Sequence, residues 1–123
     1  MQERVFKTAW FARAARKALL SDEELCAAIR QVMLGQADDL GGGVYKKRLD
    51  KNRSRSIILA KGSHYWVYEY LFAKKDRDNI GALELDKFRK LAKVYEVLSE
   101  RQITGLLESN SWREICHDQE AQI

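Results

Sequence analysis

Apolar residues recur along this chain with two different periods. After Ser21, the residues Leu25, Ala28, Ile29, Val32 and Met33 fall at i, i+3, i+4, i+7 and i+8, which is one face of a helix. Ser21 and Glu24 have the spacing of a capping box, and Gly35 is a suitable C-terminal stop. Upstream, Phe11, Ala14, Ala15, Ala18 and Leu19 have Ala-rich helical spacing, and the preceding stretch from Arg4 to Trp10 permits a strand. In the last third, Leu85, Phe88, Leu91, Ala92, Tyr95 and Leu98 form the stripe of a helix over 83–98. Ser99 with Gln102 opens another helix carrying Ile103, Leu106 and Leu107, after which Trp112 and Ile115 form a short apolar tail able to dock on the core.

The middle of the chain has a period of two. Strands are expected at 44–49, 55–60 and 64–72, separated by turns at Asp50–Ser54 and Lys61–Ser63, with a loop over 36–43 before them. Strict alternation in the third strand puts Trp66, Tyr68, Tyr70 and Phe72 on one face and Val67, Glu69 and Leu71 on the other. The order of elements predicts an α+β fold: a small antiparallel sheet of three core strands plus an N-terminal strand, with helices packed on one face. A length of 123 residues and 46% apolar content suit one domain spanning 1–123, with a loose tail from about residue 117.

Charge sharpens this picture. The chain carries +4. Between Gly41 and Arg77, ten basic residues face three acidic ones, so this stretch holds +7 and the remainder −3. Regional charge of this kind suits a polyanionic partner, although a solvated Lys/Arg face would give the same count. Cys26 and Cys116 are too few for a disulfide scaffold and are expected as reduced thiols in a cytoplasmic protein. The N-terminus lacks the apolar run of a signal peptide, and no stretch is long and apolar enough to span a bilayer.

Alternation in Val44–Leu49 puts Tyr45, Lys47 and Leu49 on one face, with Lys46 and Arg48 on the other, open side. Lys47 must then run its stem along the core edge and keep its ammonium wet. Arg55 starts the next strand, and Lys74 and Lys75 end the third. Strands lie about 5 Å apart, so these cations can converge on one phosphate. Cations beside aromatic rings are what a splayed single strand of RNA needs. Lys47, Lys51, Arg53, Lys75 and Arg77, with Tyr68 and Tyr70, are therefore candidate RNA contacts, whereas Trp66 and Phe72 are better read as core. There is no P-loop, GxGxxG, CxxC or HExxH, and His64 and His117 are too few for a His-rich metal site, so neither cofactor nor metal is expected.

Five segments carry a resemblance to a family: Trp10-Phe-Ala-Arg-Ala-Ala-Arg-Lys17, Leu20-Ser-Asp-Glu-Glu-Leu-Cys-Ala-Ala-Ile29, Asp39-Leu-Gly-Gly-Gly-Val-Tyr-Lys-Lys-Arg-Leu49, Arg55-Ser-Ile-Ile-Leu-Ala60 and Phe72-Ala-Lys-Lys-Asp-Arg-Asp-Asn-Ile80. In order, over Val5 to about Ile115, the chain resembles RelE/HigB-type toxins of bacterial toxin–antitoxin pairs. That resemblance implies a ribosome-dependent mRNA endonuclease, held inactive by an antitoxin that is commonly a helix-turn-helix protein. It implies attack of a ribose 2′-OH on the adjacent phosphate, served by basic side chains in place of a His pair. By position, Lys46, Arg48, Arg55 and Lys74 match the family's catalytic cations. The Asp50–Ser54 turn is shorter than in many relatives and lacks Gly, and Lys75-Asp76 stands where Asn followed by Glu is frequent. The other readings are a non-catalytic RNA- or partner-binding module and a structural domain whose cations bind an acidic protein. A gyrase-directed toxin of the related ParE type generally lacks this basic set.

Overall fold

A computed structural model describes residues 3–61 and 64–116; the expected loose tail, His117 and most of the Lys61–Ser63 turn lie outside them. The elements run β1 (Arg4–Thr8), α1 (Ala9–Lys17), α2 (Asp22–Met33), β2 (Asp38–Gly41), β3 (Val44–Leu49), β4 (Ser54–Lys61), β5 (Tyr65–Ala73), α3 (Ala82–Glu96), α4 (Glu100–Glu108) and β6 (Trp112–Ile115). The fold is α+β, and its sheet has more strands than the sequence suggests: six, in the order β2-β3-β4-β5-β1-β6. All neighbours are antiparallel except β1 and β5, which pair in parallel from Arg4↔Tyr65 to Lys7↔Tyr68.

The two added strands were hidden for different reasons. Residues 38–41 read as loop because Asp38, Asp39 and the glycines have low strand propensity, yet they form the edge strand β2. The hairpin closes through Gly41, Gly42 and Gly43, all at positive φ. Gly42 is required twice over: its φ is +65°, and a Cβ there would lie 2.9 Å from Cγ of Arg89, whose guanidinium donates to the Leu40 carbonyl. The apolar tail is β6, which pairs with β1 from Val5↔Ile115 to Thr8↔Trp112.

Helices cover both faces of the sheet, not one. α1 and α2 pack Phe11, Ala15, Leu25 and Ile29 against Val5, Ile58, Trp66, Tyr68 and Leu71. On the opposite face, Ala92 of α3 meets Val44, Ile57, Leu59 and Phe72, and Ile103 of α4 meets Phe6, Val67 and Trp112. The central strands must therefore be apolar on both sides, which is why β5 reads as an almost continuous hydrophobic run.

Strict alternation in β5 fails at one residue. Ile57 pairs with Tyr70 and Ile58 with Tyr68, so Glu69 is the extra residue of a bulge. Trp66 and Tyr68 point toward α1 and α2; beyond the bulge, Tyr70 and Phe72 belong to the α3 side. Glu69 accepts a hydrogen bond from the Tyr95 hydroxyl at 2.6 Å, which anchors the bulge to α3.

The cysteines are joined, contrary to the reduced thiols expected. Cys26, on the core face of α2, bonds Cys116, the residue after β6, with 5.4 Å between their Cα atoms. They are 90 residues apart in sequence, and only the return of β6 beside β1 brings them together. Arg4 fastens the same corner: its guanidinium makes two hydrogen bonds to Glu114, at 2.9 and 3.0 Å, and one to Glu100 at 3.0 Å.

A cationic row on the sheet

The register of β3, β4 and β5 builds the candidate site. Arg48 lies directly opposite Arg55, and Arg55 opposite Phe72, giving one row across three strands. The neighbouring row, two residues along, is Lys46, Ile57 and Tyr70. Alternation puts both rows on the face that carries Val44 and α3; Ile57, Tyr70 and Phe72 of these rows belong to the cluster that packs on α3. Two guanidinium-bearing residues directly across a ladder repel each other. Neither Arg48 nor Arg55 has a carboxylate partner among the described residues.

Arg55 is only 7% exposed. One of its Nη atoms donates to the Asn52 carbonyl at 2.9 Å, which holds the side chain against the β3–β4 turn. That turn places Asp50, Lys51 and Asn52 successively at φ values of 52°, 52° and 75°. Asp and Asn tolerate this region, whereas Lys51 is strained there, so the short hairpin has a tightly wound tip. The Lys74 amide donates to the Arg53 carbonyl at 2.8 Å, extending the β4–β5 ladder one step and bringing Lys74 to the edge of the row.

The other expected residues separate into three groups. Lys51, Arg53, Lys74 and Lys75 are exposed around the row. Lys46 is there too, at 3.6 Å from the Asp38 carboxylate on β2. Arg77 stacks over the Phe72 ring at 5.4 Å, but its guanidinium is paired with Glu84 in the first turn of α3, so its charge is already compensated. The pairing lowers the Glu84 pKa and raises that of Arg77.

Two of the expected RNA contacts lie away from the row. Lys47 points to the face of β3 opposite Lys46 and Arg48, as the alternation indicated, and its ammonium donates to the Gln36 carbonyl at 2.9 Å; burial, then the neighbouring Arg48 charge, holds its pKa below the usual lysine value. Tyr68 is fully buried beneath α1 and α2, with its hydroxyl donating to the Leu25 carbonyl at 2.7 Å, and burial raises its pKa. The Glu69 bulge is the reason that it parts company with Tyr70. Tyr70 remains at the site, half-buried, with its ring stacked on Trp10 at a centroid distance of 4.9 Å. Trp66 and Phe72 are core, as the sequence suggested.

Trp10 was not singled out as a contact from the sequence. It lies on α1 beyond the end of β1, where β5 loses its neighbour, and it opens a cleft lined also by Arg13, Lys17, Phe72, Lys75 and Asp76. The available signal was the spacing i, i+3, i+7 of Trp10, Arg13 and Lys17 along a predicted helix.

A sheet with unopposed arginines facing each other across a ladder, rimmed by exposed lysines, defines a surface suited to a phosphate-bearing ligand. The family model described as the RelE toxin of the RelE/RelB toxin–antitoxin system matches residues 3–115, and the chain belongs to that family. It is a toxin of the toxin–antitoxin type, and an antitoxin is its implied partner. No curated protein matches the chain.

Proposed function

We propose that this toxin is a ribosome-dependent mRNA endonuclease and that Lys46, Arg48, Arg55 and Lys74 carry the chemistry. The observation behind this reading is the facing pair of Arg48 and Arg55 without a carboxylate between them. Such a pair costs stability unless an anion is to be placed there. A ribose 2′-oxygen attacks the adjacent phosphorus, the phosphorus–O5′ bond breaks, and the products are a 2′,3′-cyclic phosphate and a 5′-hydroxyl. The 2′-proton leaves to a base and a proton is delivered to O5′. Lys46 or Arg48 assists the 2′-hydroxyl and holds the substrate. Arg55, fixed by Asn52, neutralises the charge that develops on the phosphorane. Lys74 stabilises or protonates the leaving oxygen. Lys51, Arg53 and Lys75 bind flanking phosphates, and Tyr70 offers a ring for a base. The proposed antitoxin is a helix-turn-helix protein acting in the cytoplasm.

The test is cleavage of mRNA on programmed ribosomes, with product ends analysed for cyclic phosphate. Arg55→Ala is expected to slow cleavage about 100- to 1000-fold, as loss of a preorganised charge-stabilising donor does. Wild-type protein that leaves mRNA intact removes the enzyme reading and favours a non-catalytic binding module. Full activity in both Arg55→Ala and Lys74→Ala removes the residue assignment alone.

A further inference from the structure

We propose that the cleft between α1 and the end of β5 seats one nucleotide of single-stranded RNA next to the cationic row, with its base on Trp10 and its phosphate among Arg13, Lys17 and Lys75. The proposal rests on the RNA-binding reading above and extends it to residues outside the reacting set.

The cleft measures about 630 Å³, a size that accepts a nucleotide-sized ligand. One wall is a single face of α1: Trp10, Arg13, Ala14, Lys17 and Ala18 recur at i, i+3, i+4, i+7 and i+8. The other wall is Phe72, Ala73, Lys75 and Asp76. Arg13 and Lys17 stand about 6 Å apart along the helix axis. Arg13, Lys17 and Lys75 make no ion pair among the described residues, and Asp76 is the one acidic lining residue.

The rings decide between an RNA and an acidic peptide. Trp10 is 44% exposed while stacked on Tyr70, and Tyr70 contacts Phe72, which faces Arg55. The aromatic series therefore runs from the cationic row into the cleft. A peptide carboxylate would need only the cations; an exposed indole held flat on another ring is a platform for a base. A strand crossing Arg48 and Arg55 meets this platform at the β5 edge.

The probe is a fluorescein-labelled 2′-O-methyl oligoadenylate of about twelve nucleotides, which cannot be cut because its attacking hydroxyls are blocked, read by anisotropy. Arg13→Glu/Lys17→Glu is expected to weaken binding at least about tenfold, and Trp10→Ala about tenfold, with Trp10→Phe retaining most of the affinity. The tryptophan fluorescence of the wild type is expected to fall on binding. The other two tryptophans, Trp66 and Trp112, are buried, so Trp10→Phe should abolish that signal. Arg13 and Lys17 are exposed, and an unchanged melting temperature confirms that their variant folds. Wild-type affinity in the double variant overturns the proposal, as does charge-dependent binding that ignores Trp10→Ala, which is the acidic-peptide outcome. Absence of binding by the wild type also overturns it. Ribosome-dependent cleavage by the same preparation would leave the endonuclease reading standing, whereas intact mRNA with cleft-dependent binding would sink that reading and keep the cleft.

Discussion

Reduction of the Cys26–Cys116 bond is expected to weaken this fold more than loss of any surface ion pair. The bond closes a loop of 90 residues. In the chain-entropy treatment, such a closure removes about 15 cal/mol/K from the unfolded ensemble, or about 4.5 kcal/mol at room temperature. Measured disulfides usually give less, about 2–4 kcal/mol. For a chain of 123 residues, the unfolding entropy near the midpoint is about 0.26 kcal/mol/K, so the midpoint should drop by about 8–17 °C. The loss should be uneven. β6 has only four residues and pairs with β1 alone, so the amides of Trp112–Ile115 should exchange fastest after reduction. The assay is thermal unfolding with and without dithiothreitol, with alkylation and mass measurement to count thiols, followed by hydrogen exchange. Cys116→Ser checks the result without reductant; Cys116 is the better choice because Cys26 lies in the core, where a substitution adds its own packing cost. Midpoints within about 2 °C of each other would refute the argument, as would two free thiols in the folded protein made without reductant.

Three further outcomes follow from single contacts. Tyr68→Phe removes a buried hydrogen bond to the Leu25 carbonyl, which as a residue inside α2 keeps its helical donor, and should cost about 0.5–1.5 kcal/mol in urea unfolding, with RNA binding unchanged; weaker binding at unchanged stability would return Tyr68 to the interface. Gly42→Ala must hold φ near +65° and push Arg89 aside, so a loss of about 1–2 kcal/mol is expected, and a neutral result would contradict the hairpin geometry. Burial holds the Glu69 carboxyl above its usual range, against the opposing hydrogen bond from Tyr95. A raised folded value means that the folded protein keeps this proton longer than the unfolded chain does. The stability linked to it is present below the unfolded value and is lost as pH rises through the folded one. Glu69→Gln keeps an acceptor for Tyr95 and should unfold later than wild type at neutral pH, with the difference vanishing in acid; equal denaturation midpoints at neutral pH would contradict it.

Residues with a strong periodic signal were legible in the sequence, and so was the row they build. Ser21–Glu24 and Ser99–Gln102 cap α2 and α4 as their spacing indicates. The facing of Lys46 and Arg48 away from Tyr45 and Leu49 follows from the two-residue repeat of β3. What escaped was non-local. A bulge at Glu69 carries no local mark, because any residue of a hydrophobic strand can be the unpaired one. β2 and the disulfide depend on which distant segment arrives alongside, and β2 has only acidic and glycine-rich local sequence to announce it. The pairing of Arg77 escaped because its partner Glu84 lies across a turn, in the next helix. Trp10 looked like the end of a strand, whereas it lies in α1, and its place at the site comes from β1 stopping at Thr8 and exposing the flank of β5.

The position of β1 has a consequence for biosynthesis. Of the six strands, β1 is made first and lies between β5 and β6, so it waits for residues 65–73 on one side and 112–115 on the other. During translation the basic hairpin of β3 and β4 can zip up early, since its strands are adjacent in sequence, but the sheet stays open until β6 emerges. Any nascent or prematurely terminated chain ending before Trp112 therefore leaves one flank of β1 unpaired, beside a Phe6 that has lost the Trp112 ring 5.0 Å away. Such an edge invites pairing with a neighbouring chain. Aborted synthesis of this toxin should yield aggregates that chaperones and proteases clear, and the order of its strands thereby withholds the finished sheet until β6 has been made.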